Sequence, residues 1–469
     1  DWSSDVCSSD LRLKLLREDI LTTELQKVSS ESQRRELYSM DWLDDKDKII
    51  EGAFAECYLK MHPMICIHGI LFTIDGIVSD ESGIKNDIYS MVRPYVTSGL
   101  ARKVEQLLQT IKLEAYSEPL PLQTDRIHVA NGTLFLNGEF SEQKDFCLNR
   151  LPVIYDPDVE KPARWLKFME ELLNPDDILT LQEYMGYMLL PTTKAQKMML
   201  IIGKGGEGKS RIGLVLRELF GNNMYSCSLQ KIEVDKFARA NLEYMLITVD
   251  DDMKLEALPQ TNHIKSIVTL EDQIDLERKG QQSFQGVVYA RLIAFGNGGL
   301  HALYDKTDGF YRRQLILTTK DKVDGREDDP YLIDKLRKER DGIFLWALEG
   351  LQRLVSNNYV FTESVDAKQN LVDAQEEGNN ILAFMKSEGY LQFEIGKKIS
   401  STDFYNIYVS WCEDNLEKPR ASAGFLHYIK ENQKRYGLIY DAKCIGNRRG
   451  FHNVCKAEFT PVAGKTPFD

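Results

Sequence analysis

The chain has 469 residues, of which 43% are hydrophobic and 28% charged, and a formal net charge of −13. This describes a globular protein of about three domains with a sizeable core; it excludes a wholly basic nucleic-acid coat but not a localised basic channel. No apolar run reaches the roughly 18–20 residues of a membrane span, so no membrane partner is expected, and eight cysteines without a C-x-x-C pair fit a reducing cytoplasm.

Residues 1–10 lack any helical or strand period and read as a leader foreign to the fold. Residues 11–125 are expected to be mostly helical, with Leu13, Leu15, Leu16, Ile20, Leu21 and Leu25 near a 3.6 period. The character changes at 126: Asn131-Gly132 and Asn137-Gly138 punctuate short β runs as hairpins. Pro157 and Pro162 precede a helix carrying Trp165, Phe168 and Leu172, and a second helix, Ile178 to Leu190, is closed by Pro191.

An apolar run then leads into Gly203-Lys204-Gly205-Gly206-Glu207-Gly208-Lys209-Ser210, followed by a helix from Arg211 to Phe220. Gly203, Gly208, Lys209 and Ser210 match G-x-x-x-x-G-K-[ST], the loop that wraps backbone N–H groups around phosphate oxygens. Glycine is needed there for left-handed backbone and close approach. Lys209 is expected to reach the β- and γ-phosphates and Ser210 to ligate Mg²⁺, with the helix N-terminus adding positive charge. Residues Gly203 through Arg211 are therefore the expected ATP-binding loop.

Beyond it, short aliphatic runs alternate with helices. Tyr244 to Val249 ends in Asp250-Asp251-Asp252, Arg291 to Phe295 ends in Gly296-Asn297, and Gln314 to Leu317 follows Arg312-Arg313. This alternation predicts an α/β fold with a parallel sheet covered on both faces and ligands at the carboxyl ends of its strands. One acid of 250–252 would hold the Mg²⁺ shell and its neighbour would orient or deprotonate the attacking water. Counting from the strand end favours Asp250 and Asp251. Asn297 is placed to bond that water or the γ-phosphate, and Arg312 or Arg313 to reach the γ-phosphate of a neighbouring subunit. Arg278-Lys279-Gly280, between Ile274-Asp275-Leu276 and Ser283-Phe284, predicts a hairpin with a basic tip. Seven Lys or Arg against two acids, net +5, mark 426–456 as a candidate nucleic-acid face.

Taken together, these motifs resemble the superfamily 3 helicase module of phage and plasmid primase–helicases, related to the poxvirus primase–helicase, over about residues 125–455. Asn131-Gly132, Leu151 to Asp156, Trp165 and Leu181 to Leu189 carry the likeness before the loop. Ile264 to Thr269, Glu277 to Gly280 and Asp308 to Arg313 carry it afterwards. The resemblance implies a helical collar at 126–195, an AAA+-type P-loop NTPase core at 196–325, a helical lid or linker at 326–375 and a winged-helix-like domain at 376–469. It implies a ring, most often a hexamer, with ATP between subunits and single-stranded or forked DNA in the channel. A primase or replication-initiation protein is the implied partner, and the cytoplasm of a bacterial host the implied setting. By this likeness Asp251 and Asp252 are the acid pair, with Asp251 on Mg²⁺. Arg312 is the arginine finger, and Lys265, Arg278 and Lys279 lie in DNA-contacting segments. The chain departs from the family in having Asp-Asp where acid-Glu is usual, Leu270 where Gly is common, and no Pro after Asn297. No primase motif is visible upstream. An origin-remodelling ATPase without processive unwinding and a small-molecule kinase are the alternative functions.

Overall fold

The computed structural model describes residues 42–253, 261–269, 273–280, 282–297, 308–322, 329–378 and 380–457. The leader, the apolar repeat at Leu13–Leu25 and Leu270 lie outside them. Among the described residues no helix is long and apolar enough to cross a membrane.

Residues up to Leu122, with Gln143–Arg150, form one compact unit. It holds α1 (Glu51–Met61), strands β1 (Met64–Ile67), β2 (Ile70–Thr73) and β3 (Gly76–Ile77), then α2 (Ser82–Val92) and α3 (Leu100–Glu114). The antiparallel meander β1-β2-β3 stands inside the region expected to be mostly helical. Its first turn is His68-Gly69, with φ of 50° and 79°, the left-handed pair that a two-residue hairpin needs. Cys66, Ile67, Leu71 and Phe72 are all buried, and a short apolar run of this kind between helical segments has no period that separates it from a buried helix.

The second unit spans Gln123–Glu142 and the chain from Leu151 onward. Strands β4 (Arg126–Val129), β5 (Gly132–Phe135) and β6 (Phe140–Ser141) make the antiparallel hairpins expected at the two Asn-Gly turns. Helices α4 (Ala163–Leu172) and α5 (Pro175–Tyr187) follow. Next come β7 (Met198–Ile202), α6 (Ser210–Phe220), β8 (Met224–Ser226), α7 (Leu229–Val234), α8 (Lys236–Ala240) and β9 (Ile247–Met253). Helix α9 (Asn262–Thr269), strands β10 (Gln273–Leu276), β11 (Phe284–Val287) and β12 (Arg291–Gly296), helix α10 (Asp308–Tyr311) and β13 (Gln314–Thr318) complete this stretch.

Five of these strands form a wholly parallel sheet in the order β13-β7-β12-β9-β8. Both faces are covered, and the period-2 geometry of a strand divides its side chains between them. Along β7, Met199 and Ile201 enter a core that also holds Ile212, Leu216 and Phe220 of α6. Met198 and Leu200 enter the opposite core with Leu229, Ile264 and Ile267. The first core continues into Trp165 and Tyr184 and into α11 (Leu332–Lys338) and α12 (Arg340–Ser356). The segments expected to part at 195/196 and 325/326 thus share one hydrophobic core. Helices α5 and α12 approach at backbone distance. A Cβ on Gly350 would lie 2.4 Å from the carbonyl carbon of Gln182, and one on Gly186 would lie 2.4 Å from the Ala347 oxygen.

After α13 (Val365–Gly378), the C-terminal part runs α14 (Asn380–Lys386), β14 (Leu391–Gln392), β15 (Lys398–Ser400), α15 (Ser401–Asp414), α16 (Ser422–Glu431), β16 (Ile439–Ile445), β17 (Arg448–His452) and β18 (Cys455–Lys456). Strands β15, β17 and β16 form a sheet over an aromatic core of Phe384, Phe404, Tyr408, Phe425 and Phe451. Lys434, Arg435, Lys443, Arg448, Arg449 and Lys456 of the basic segment are exposed, while Lys430 lies 3.8 Å above the Tyr440 ring.

Candidate functional site at the carboxyl ends of the parallel strands

The glycine-rich loop leaves the end of β7 and enters α6 at Ser210. Gly205, Gly206 and Gly208 take φ of 110°, 84° and 107°, a left-handed backbone that side chains oppose. Gly203 is required for a different reason: a Cβ there would lie 2.9 Å from the Lys209 ammonium and collide with the Thr319 hydroxyl. The loop bounds a cleft of about 360 Å³, lined also by Ser210, Arg211, Asp251, Asp252 and Asn297.

Lys209 is buried, and its ammonium donates to Glu207 Oε2 at 2.7 Å and to Asn297 Oδ1 at 3.4 Å. Burial pushes the Glu207 carboxyl up, but the Lys209 ammonium and the loop's backbone N–H groups outweigh that and hold it below its ordinary value. The structure therefore joins the loop to the end of β12, 88 residues away, through Asn297. Lys204 is exposed and reaches Asp321 at 2.7 Å.

The three aspartates separate. Ala294 pairs with Asp250 and Gly296 with Met253, so Asp251 and Asp252 together oppose the single residue Phe295. Such a bulge re-aims side chains. Both Asp251 and Asp252 turn into the cleft, and Asp251 Oδ1 lies 3.4 Å from where a Cβ on Gly213 of α6 would stand. Asp250, favoured by counting, points to the other face. It is 3% exposed and accepts the Leu229 N–H at 2.9 Å; burial raises its carboxyl above the ordinary value. Asp250 is thus withdrawn from the catalytic candidates. If the cleft turns over ATP, Asp250→Asn, which keeps an acceptor for Leu229, is expected to leave that turnover within a few-fold of wild type. Asp251→Asn is expected to lower it by about 10²-fold or more, the scale of a lost catalytic group. Steady-state hydrolysis measured side by side checks this, and equal losses in the two variants would refute the assignment.

Two other expectations are revised. Arg278 does not present its charge at the hairpin tip: its guanidinium pairs with the buried Glu243 carboxylate and stacks 4.7 Å from the Phe284 ring. It fastens the β10–β11 hairpin, whose antiparallel pairing is as expected, and leaves Lys279 exposed at the turn beside Gly280. Arg313, in the turn after α10, bonds back to the Gly309 carbonyl near the start of that helix, whereas Arg312 is exposed. Lys265 sits on a half-buried face of α9. The sequence did not point to Asp329 or Leu332, which line the cleft from the segment after β13. Asp329 is held by Lys335 at 2.7 Å and by the Tyr331 N–H at 3.0 Å. Nor did any motif mark Thr319, whose N–H donates to the Ile202 carbonyl behind the loop.

Residues 201–313, which contain the loop, the aspartates and the arginine pair, match a protein family described as a family of unknown function, DUF5906. No curated protein matches the chain. Among solved structures, the A-form apo structure of the NrS-1 C terminal region is similar at 11% identity, covering 82% of this chain and 86% of that one, with a TM-score of 0.47. An A-form apo structure of NrS-1 residues 305–718 covers 86% of this chain and 98% of its own at a TM-score of 0.46 and 11% identity. A further apo structure of that region covers 88% and 100%, again at 0.46 and 11%. At that identity these likenesses assign no role to any residue of this chain.

Proposed function

We propose that this chain is an ATP-driven, ring-forming DNA helicase acting in the replication of a mobile element. The observation that carries the reading is convergence: Lys209, Asp251, Asp252 and Asn297, from three neighbouring strand ends, line one cleft beneath the glycine-rich loop. In this reading the loop N–H groups and Lys209 bind the phosphate tail, Asp252 orients the attacking water, and Asn297 holds that water against the γ-phosphate. The Ser210 hydroxyl and the Asp251 carboxylate, both lining the cleft beside α6, suit Mg²⁺, which takes most of its positions from water and phosphate. That ion, when bound, neutralises charge developing on the phosphates.

The DNA contact falls to the β10–β11 hairpin, whose exposed Lys279 offers charge without base readout. Single-stranded DNA is expected to stimulate ATP hydrolysis, and a forked duplex to be separated in an ATP-dependent way. Lys279→Ala is expected to weaken binding equally for unrelated single strands. It should flatten the log–log salt dependence by about 0.7 for each phosphate that the lysine no longer neutralises. Hydrolysis without DNA should persist. Titrations of labelled strands at several salt concentrations, beside the ATPase and strand-displacement assays, test the reading. Hydrolysis indifferent to DNA, with no strand displacement, would overturn it.

A further inference from the structure

The phosphate cradle contains an anion of its own. Glu207 is 2% exposed, and its carboxylate accepts the Lys204 N–H at 2.6 Å, the Gly205 N–H at 2.7 Å and the Lys209 ammonium at 2.7 Å. Its Cδ lies 3.1 Å from where a Cβ on Gly203 would stand, so it fills the hollow that the glycine leaves. These are the kinds of donors that a phosphate group needs: two loop amides and the loop lysine. Each backbone N–H carries a single hydrogen, so the same two amides cannot serve a carboxylate and a phosphate together, and side by side the two anions repel.

We propose that Glu207 is a specificity-determining residue: a resident carboxylate that any phosphate ligand must displace. The inference rests on the reading of residues 203–211 as a nucleotide loop and adds a selection by charge to it. A ligand wins only by bringing more negative charge than one carboxylate and further contacts elsewhere in the cleft. A triphosphate with its divalent cation does so, through Ser210 and Asp251 as well as the cradle. Inorganic phosphate does not, and a diphosphate does so less well. Glu207 thereby keeps abundant small phosphates out of the site, at some cost in affinity for the nucleotide itself.

The test is calorimetric titration of wild type and Glu207→Gln with inorganic phosphate, ADP and ATP–Mg²⁺, with thermal unfolding to verify the fold. Gln keeps an oxygen for the two amides but leaves Lys209 without a counter-charge. The variant is expected to bind phosphate and ADP about tenfold more tightly or better, the order of one charge-assisted hydrogen bond. ATP–Mg²⁺ should gain less, so that discrimination between ATP and phosphate shrinks. Should Glu207→Gln fail to fold, Glu207→Ala carries the same comparison. Unchanged affinities, or weaker binding of all three ligands, would overturn the inference while leaving the nucleotide site standing. No binding of any of the three by wild type or by either variant would remove the site and the inference together. Binding by the variants alone would support both.

Discussion

Lys209→Ala is expected to abolish ATP turnover, and the structure adds a second expected effect that the motif does not announce. The lysine is not a free side chain waiting for phosphate. It is 7% exposed and neutralises a carboxylate that is itself buried. Removing one partner of a buried ion pair strands the other, at about 3–5 kcal/mol. Two backbone N–H groups still serve Glu207 and lessen that cost. Against a net domain stability of about 5–15 kcal/mol the loss is large enough to confuse a loss of chemistry with a loss of fold. The decisive protein is therefore the double variant Lys209→Ala, Glu207→Gln, in which no charge is stranded. Its midpoint of thermal unfolding is expected to recover towards that of wild type, while turnover stays lost in both variants. A folded double variant that hydrolyses ATP within tenfold of wild type would end the assignment of the loop.

What the sequence revealed, and what it concealed, follows the range of the interactions involved. The loop was legible because its glycines, lysine and serine act within eight consecutive residues. Strands β7, β12 and β13 were legible because burial on both faces makes each a short continuous apolar run. The β10–β11 hairpin was legible from the glycine at its tip. The β1–β2 hairpin was not, because its turn is His68-Gly69 and not the Asn-Gly or Asp-Gly pair that announces a two-residue hairpin. The choice among the aspartates turned on a bulge, and a bulge is a relation between β9 and β12 that neither strand records alone. Arg278 reads as a DNA contact until Glu243, 35 residues earlier, is folded against it. Asp329 and Leu332 reach the cleft only through the path of the chain after β13, which no local pattern encodes. Glu207 was visible as a loop residue, but the inward direction of its side chain was not.

Arg312→Ala is expected to lose hydrolysis by about 10³–10⁵-fold while nucleotide binding persists, the range that arginine fingers span. The structure distinguishes the two neighbouring arginines. Arg313 is spent on the Gly309 carbonyl, and Arg312 projects to solvent at the end of α10. Arg312 is not among the residues lining the cleft of its own chain. An exposed guanidinium of that kind contributes little to its own fold, since surface ion pairs are worth about 0–1 kcal/mol, so the variant should unfold at nearly the wild-type temperature. The expected large loss of turnover then needs a phosphate supplied by another copy of the chain. Mixing supplies the test. In the proposed ring, a mixture of Arg312→Ala with the Lys209→Ala, Glu207→Gln variant would have some interfaces where an intact Lys209 faces an intact Arg312. Hydrolysis should therefore reappear in mixtures of two proteins that are each inactive alone, and pass through a maximum as the mixing ratio is varied. Inactivity at every ratio, with both proteins shown to co-assemble, would mean that Arg312 acts within its own chain or not at all.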